Sequence, residues 1–193
     1  MNPTFAAYQA AFRPLSIVLD AVPAPAWGNA SPCTEWTARQ VVEHMINTQR
    51  ELLMKHGHSL GPTPDITDPA AGFADHAERV LTLVSRDVVV DSTYDGFFGP
   101  TTVGTTLVQF YVWDMLVHRW DVARATGGDE LIADDELDRI EAGADSFGDA
   151  LHMDGICEAA VPVPIDADRK TVLLARLGRH AARPNTQGSR NDG

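Results

Sequence analysis

Five stretches of this chain bring apolar residues back every three or four positions, the period of a helix buried on one face. The first spans 4–22 and carries Phe5, Tyr8, Phe12, Leu15, Leu19 and Val22. Pro14 falls inside it and predicts a kink or a break. The second, 37–56, opens on Thr37 and Gln40 at capping-box spacing and presents Val41, His44, Met45, Thr48 and Leu52. The third follows Asp68-Pro69, an N-cap and a first-turn proline, and runs to 86 with Phe73, Ala77, Val80, Leu81 and Val84 inward. The fourth, 105–126, ends at Gly127-Gly128, and its stripe reads Leu107, Phe110, Tyr111, Asp114, His118, Asp121, Val122 and Ala125. The fifth, 134–151, carries Leu137, Ile140, Ala144, Phe147 and Leu151. Between the third and fourth, Val88–Val90 reads as a short strand and Gly96, Gly99, Pro100 and Gly104 as a shaped loop. After the fifth, Val161–Ile165 reads as an edge strand and Thr171–Leu177 as a short helix. These elements predict an all-α fold: a four-helix bundle with an additional helix and a small C-terminal appendage. Residues 1–180 are expected to form one domain, and 181–193 a disordered polar tail.

Charge and composition exclude several classes of partner. The net charge of −12 argues against nucleic acid, whose binders need a basic face. No run of 18 apolar residues exists, so no membrane span is expected. The N-terminus lacks a basic segment, and Arg13 and Asp20 interrupt its apolar run; this predicts no signal peptide and a cytoplasmic protein. Two cysteines, Cys33 and Cys157, are too few for a disulfide framework and read as buried or semi-buried thiols.

The chemistry concentrates on two stripes. Asp114 and His118 are four apart and therefore stack on one helical face, and that face is the apolar one. A buried carboxylate and imidazole need partners. Either they bond each other, or they meet a third polar group around a metal ion. His44, on the stripe between Val41 and Met45, supplies that third group if the second and fourth helices are neighbours. Two imidazoles and a carboxylate leave coordination positions open, as in reactive rather than structural sites. Such a set suits zinc, with nickel or iron(II) as alternatives. Asp121, three beyond His118, is the alternative ligand or a partner that orients a ligand histidine. Trp36, Trp120 and Arg124 flank the ligands in sequence and are candidates for a substrate cleft; packing and surface ion pairs are their plainer roles. His56 and His58 read as a solvated pair, His76 as a boundary histidine with an ordinary hydrogen bond, and His152 as remote.

The segments Ser31-Pro-Cys-Thr-Glu-Trp-Thr-Ala-Arg-Gln-Val-Val-Glu-His44 and Asp114-Met-Leu-Val-His-Arg-Trp-Asp-Val-Ala-Arg-Ala-Thr-Gly127 resemble two signature stretches. They are similar to the metal-binding bundle proteins related to the N-terminal domain of mycothiol-dependent maleylpyruvate isomerase, in the wider DinB-like group. The likeness covers roughly residues 4–178. It implies a four-helix bundle and a metal held by histidine, an acidic residue and histidine, which fall on His44, Asp114 and His118. The isomerase uses glutamate where this chain has Asp114, so the carboxylate arm is one methylene shorter.

Two readings of function follow. In the first, the protein is a metal-dependent S-transferase or isomerase acting on a small thiol, which the resemblance implies is mycothiol, and an electrophilic substrate. In the second, it is a non-catalytic module that binds a metal or small ligand. No protein residue is assigned a catalytic role by the sequence, and neither the substrate nor the oligomeric state is readable from it.

Overall fold

The apolar stripes fold as helices, and their capping residues set the ends. A computed structural model of the protein describes residues 2–34 and 36–181. Helix α1 (Pro3–Asp20) starts where the Asn2 side chain accepts from the Phe5 backbone N–H. Pro14 does not end this helix. The carbonyl it leaves without an N–H donor belongs to Ala10, an exposed residue whose carbonyl water can satisfy. Helix α2 (Ala38–Lys55) opens on the complete Thr37–Gln40 capping box. Helix α3 (Pro69–Val84) starts behind Asp68, which accepts from the Ala70 and Ala71 N–H groups.

The 88–104 segment corrects the sequence reading. Val88–Val90 is not a strand; it lies in a single helical turn, α4 (Asp87–Val90), with Val89 and Val90 buried. The strands come later: β1 (Thr93–Gly96) pairs antiparallel with β2 (Gly99–Thr102), Thr93 opposite Thr102 and Gly96 opposite Gly99. A short turn, α5 (Val103–Thr106), leads into a π-helical stretch at Leu107–Val112 and then α6 (Trp113–Thr126). Gly127 closes α6 in the left-handed conformation, φ 75°, which costs glycine little.

Helix α1 packs on α3 and α6, and α2 packs on the same two, which closes a four-helix ring. Its interior holds Tyr8, Leu15, Met45, Leu53, Phe73, Val80, Met115 and Val122, all buried. Helix α7 (Asp134–Phe147) follows. Trp113 donates its indole N–H to the Ile140 carbonyl at 2.9 Å, and Gly143 leaves room for the ring.

The chain divides into two units, one ending at Gly143 and one beginning at Ala144. In the second, the 134–151 helix gives way to a 3₁₀ turn at Gly148–His152, and α8 (Arg169–Arg176) is capped by Asp168. Val161–Ile165 is not a strand; the Val161 N–H is bonded to Ala175, and Pro162 and Pro164 have no N–H to pair. All of the expected tail but Ala181 lies outside the described residues. No helix among the described residues is long and apolar enough to cross a membrane.

Candidate metal centre

Three side chains from two neighbouring helices converge. His44 stands two turns into α2, while Asp114 and His118 occupy successive turns of α6. His44 Nε2 lies 3.5 Å from Asp114 Oδ2, and His118 Nε2 lies 3.1 Å from Asp114 Oδ1. The two imidazoles meet edge to face with ring centroids 5.3 Å apart. One donor atom from each residue lies within 4.8 Å of the others. In a tetrahedral zinc site with ~2.05 Å bonds, neighbouring donors stand about 3.3 Å apart. The two nitrogen-to-carboxylate spacings, each to its own oxygen of Asp114, fall on either side of that value.

The far edge of His118 is held just as firmly. Its Nδ1 lies 2.8 Å from Asp121 Oδ2. A carboxylate only accepts, so Nδ1 carries the proton there and Nε2 points into the cluster. Asp121 is wholly buried and His118 nearly so, whereas His44 and Asp114 are about one quarter exposed. The cluster therefore opens to solvent on the His44 side.

Electrostatics also favour a cation. Burial opposes ionisation of Asp114, but the His118 charge and hydrogen bonds from His118 and His44 outweigh it and hold the carboxyl well below the usual range. Burial likewise opposes the His118 cation, and the Asp114 charge with bonds to Asp114, Asp121 and Cys33 raises its pKa well above the ordinary value. Two carboxylates thus share one imidazolium, leaving excess negative charge in a largely buried place. A divalent ion at Nε2 would replace the proton and neutralise the excess, so the donor set fits a metal.

Two segments border the donors. The first is the 29–38 loop, held by the Ala30–Thr37 bridge, the Ser31 N–H on Trp36 and the Ala38 N–H on Asn29, with the Asn29 amide anchored to Ala125 of α6. It lays Trp36 over both imidazoles, 4.6 Å from His44 and 6.2 Å from His118 between ring centroids. It also brings the Cys33 thiol to 3.2 Å from Asp121 Oδ2. The second is the π-helical stretch before Asp114. Its buried residues are Leu107 and Val112, five apart, so Phe110 and Tyr111 stand half-buried instead of forming the core stripe their spacing predicted. The Tyr111 hydroxyl is pushed up to about 12 by burial and then by the charges of Tyr94, Asp114 and Glu51. The exposed Phe98 of the β1–β2 hairpin stacks on this stretch at Phe110, centroids 6.2 Å apart.

The remaining candidates lie apart from the donors. Trp120 is buried in the core, and Arg124 pairs with Glu130 at 3.2 Å. His76 is fully buried and bonded to Gln49. His56 stacks on Tyr94, and His152 contacts the Glu158 carbonyl. A cleft of about 720 Å³ lies elsewhere, by Pro14, Ile17 and Leu131; its Arg119 and Glu136 are already paired at 2.7 Å. Cys33, Phe98 and the half-buried Phe110 and Tyr111 were not candidates for the site in the sequence. Cys33 had one signal, its place inside the segment that ends at His44.

Comparison with known proteins identifies a family. Residues 8–123 match the family described as the mycothiol maleylpyruvate isomerase N-terminal domain. The chain belongs to this family. The match spans α2 and nearly all of α6, and so every donor named above. Among curated proteins, two uncharacterized proteins of Mycobacterium tuberculosis, from strains CDC 1551 / Oshkosh and ATCC 25618 / H37Rv, are each 24% identical to the chain over 181 residues. Each alignment covers 93% of this chain and 98% of the relative. No solved structure matches the chain.

Proposed function

We propose that His44, Asp114 and His118 hold one divalent metal ion, zinc in the first instance, and that the protein uses it to transfer a small thiol, mycothiol or a close analogue, to or from an electrophilic carbon in the cytoplasm. The reading rests on one observation above the rest: two imidazoles and a carboxylate converge beside solvent, with the second nitrogen of His118 locked by Asp121. Nickel and iron(II) suit the same donors. The thiol is taken from the family, whose name carries mycothiol.

A divalent ion in this place supplies a Lewis acid that lowers the pKa of a coordinated thiol. The protein's residues supply the rest. Asp121 accepts the Nδ1 proton of His118 and fixes the ring so that Nε2 faces the cluster. Trp36 covers both imidazoles on one side and keeps water from their faces. The quarter-exposed edge at His44 and Asp114 is the way in for a thiol. Phe110, four residues before Asp114, and Phe98 stacked on it would offer an apolar wall to the electrophile.

The test uses Cys33→Ser protein, so that the thiol beside Asp121 contributes no ligand. Zinc content should be near one equivalent and should fall severalfold when His44→Ala is added. Cobalt-loaded Cys33→Ser protein should gain an intense near-ultraviolet band on titration with mycothiol or a simple thiol. Equal zinc with and without His44 overturns the site. Bound cobalt with no thiol band overturns the transferase reading and leaves a metal-binding module.

A further inference from the structure

His118 has two edges, and both are furnished with ligands. The Nε2 edge meets Asp114 and His44. The Nδ1 edge meets a second donor set that the proposed activity uses only to orient the ring. There Asp121 Oδ2 stands 2.8 Å from Nδ1 and 3.2 Å from Cys33 Sγ, and Sγ stands 3.8 Å from Nδ1. All three atoms lie within 4.8 Å of one another.

We propose that Cys33 Sγ, Asp121 Oδ2 and His118 Nδ1 form a second cation site, on the opposite edge of the same imidazole, for a thiophilic divalent ion. It lies beyond the function proposed above and stands whether or not that function holds. With zinc bonds of ~2.3 Å to sulfur and ~2.05 Å to nitrogen and oxygen, tetrahedral donors are separated by about 3.5 Å where sulfur is one of the pair and 3.3 Å otherwise. Each observed separation is within about half an ångström of its ideal. A side-chain adjustment of that size closes the site. The donor set of thiolate, imidazole and carboxylate selects zinc or cadmium over magnesium, which prefers oxygen.

Binding is balanced in protons. The Cys33 S–H and the His118 Nδ1–H are released to solvent, and Nε2 keeps its proton and donates to Asp114 Oδ1 at 3.1 Å. The two carboxylates exchange roles with the edge that is occupied. With an ion at Nε2, Asp121 orients the ring; with an ion at Nδ1, Asp114 does. One imidazole thus serves two sites that compete for it, and the softness of the ion decides between them. The 29–38 loop that carries Cys33 also carries Trp36, so an ion at Nδ1 would fasten the cover of the first site.

The experiment uses Cys157→Ser protein, to leave one cysteine. With His44→Ala added, which dismantles the first site, cobalt without any added thiol should produce an intense sulfur-to-cobalt band. Cys33→Ser in place of His44→Ala should abolish the band. Failure of cobalt to bind the His44→Ala protein, bound cobalt with no such band, or a band that survives Cys33→Ser overturns the proposal. A second measurement needs neither His44→Ala nor Cys33→Ser. Excess cadmium should slow alkylation of Cys33 by iodoacetamide at least about tenfold, and magnesium should not. An unchanged rate in cadmium overturns it equally. Failure of the first site appears separately, as equal zinc in Cys33→Ser protein with and without His44.

Discussion

Asp114 and Asp121 both address His118, but from opposite edges of its ring, and this gives them unequal weight in holding a metal at Nε2. In Cys33→Ser protein, Asp114→Ala removes a donor, whereas Asp121→Ala removes only the group that orients one. Loss of an orienting group typically costs about 10–100-fold in affinity. Asp114→Ala should cost more than Asp121→Ala, read by competition with a chromophoric chelator; the reverse order would move the ligand assignment to Asp121. His118→Ala takes away both edges at once and should strip bound metal to background by elemental analysis, even where Cys33 is intact. The i, i+4 spacing made the Asp114–His118 pair legible in the sequence, because a helix must stack such residues. The meeting with His44 rested on a guess about helix neighbours that α2 and α6 satisfy. Beyond its place in the segment that ends at His44, the position of Cys33 was not legible, because a loop folded by a single bridge and a few backbone bonds leaves no periodic trace.

At the scale of elements, the stretch leading into α6 shows where periodicity fails. A plain helix over 105–126 would bury Phe110 and Tyr111 with Leu107; the π-helical turn buries Val112 and Trp113 in their place. One extra residue in a turn rotates everything before it, and hydrophobicity is too similar across Phe110, Tyr111, Val112 and Trp113 to reveal the shift. The same flatness hid the nature of 88–104, where β-branched valines favoured a strand but burial of Val89 and Val90 favours a helical turn. Trp113, swung inward by the π turn, needs the space at Gly143, where an added Cβ would run into the indole Cδ1. Gly143→Ala should therefore destabilise the fold by about 1–3 kcal/mol in chemical unfolding, although alanine is the better helix former. Because Trp113 adjoins Asp114, metal affinity should fall as well. A variant as stable as wild type would show that the ring finds another place. Thr37→Ala removes the capping box that starts α2, and should cost about 1 kcal/mol by the same measurement.

The whole molecule places two histidines in opposite states, and its stability should depend on pH accordingly. That four amphipathic helices would bundle was readable from stripes and caps, but this contrast was not: the sequence put His118 on a buried stripe and His76 only at the border of one, whereas the structure buries both. His118 is surrounded by carboxylates. His76 is fully buried, donates to Gln49 at 3.0 Å, and leaves Nδ1 without a partner among the described residues. Gln49 already accepts from the Tyr8 hydroxyl at 2.7 Å, so the hydrogen-bonded network offers a charged ring no anion, and the nearby Asp75 charge only partly offsets its burial. Burial, then the nearby Arg50 charge, lowers the His76 pKa to about 3. An unfolded histidine titrates near ~6.5, so between that value and about 3 the unfolded chain binds the extra proton. Stability linked to His76 is thus complete above ~6.5 and is lost as pH falls. From pH 7 to 5 the loss should be about 2 kcal/mol. The raised pKa of His118 acts in the opposite direction, with stability present below ~6.5 and lost as pH rises, so wild type alone cannot isolate the term. Comparing metal-free wild type with His76→Gln cancels it, because glutamine can still donate to Gln49 but does not titrate. Urea unfolding at pH 5 and 7 should show the gap between the two proteins shifting toward His76→Gln by about 2 kcal/mol at the lower pH. A gap that stays constant would mean that His76 takes up its proton in the folded core as readily as in the open chain.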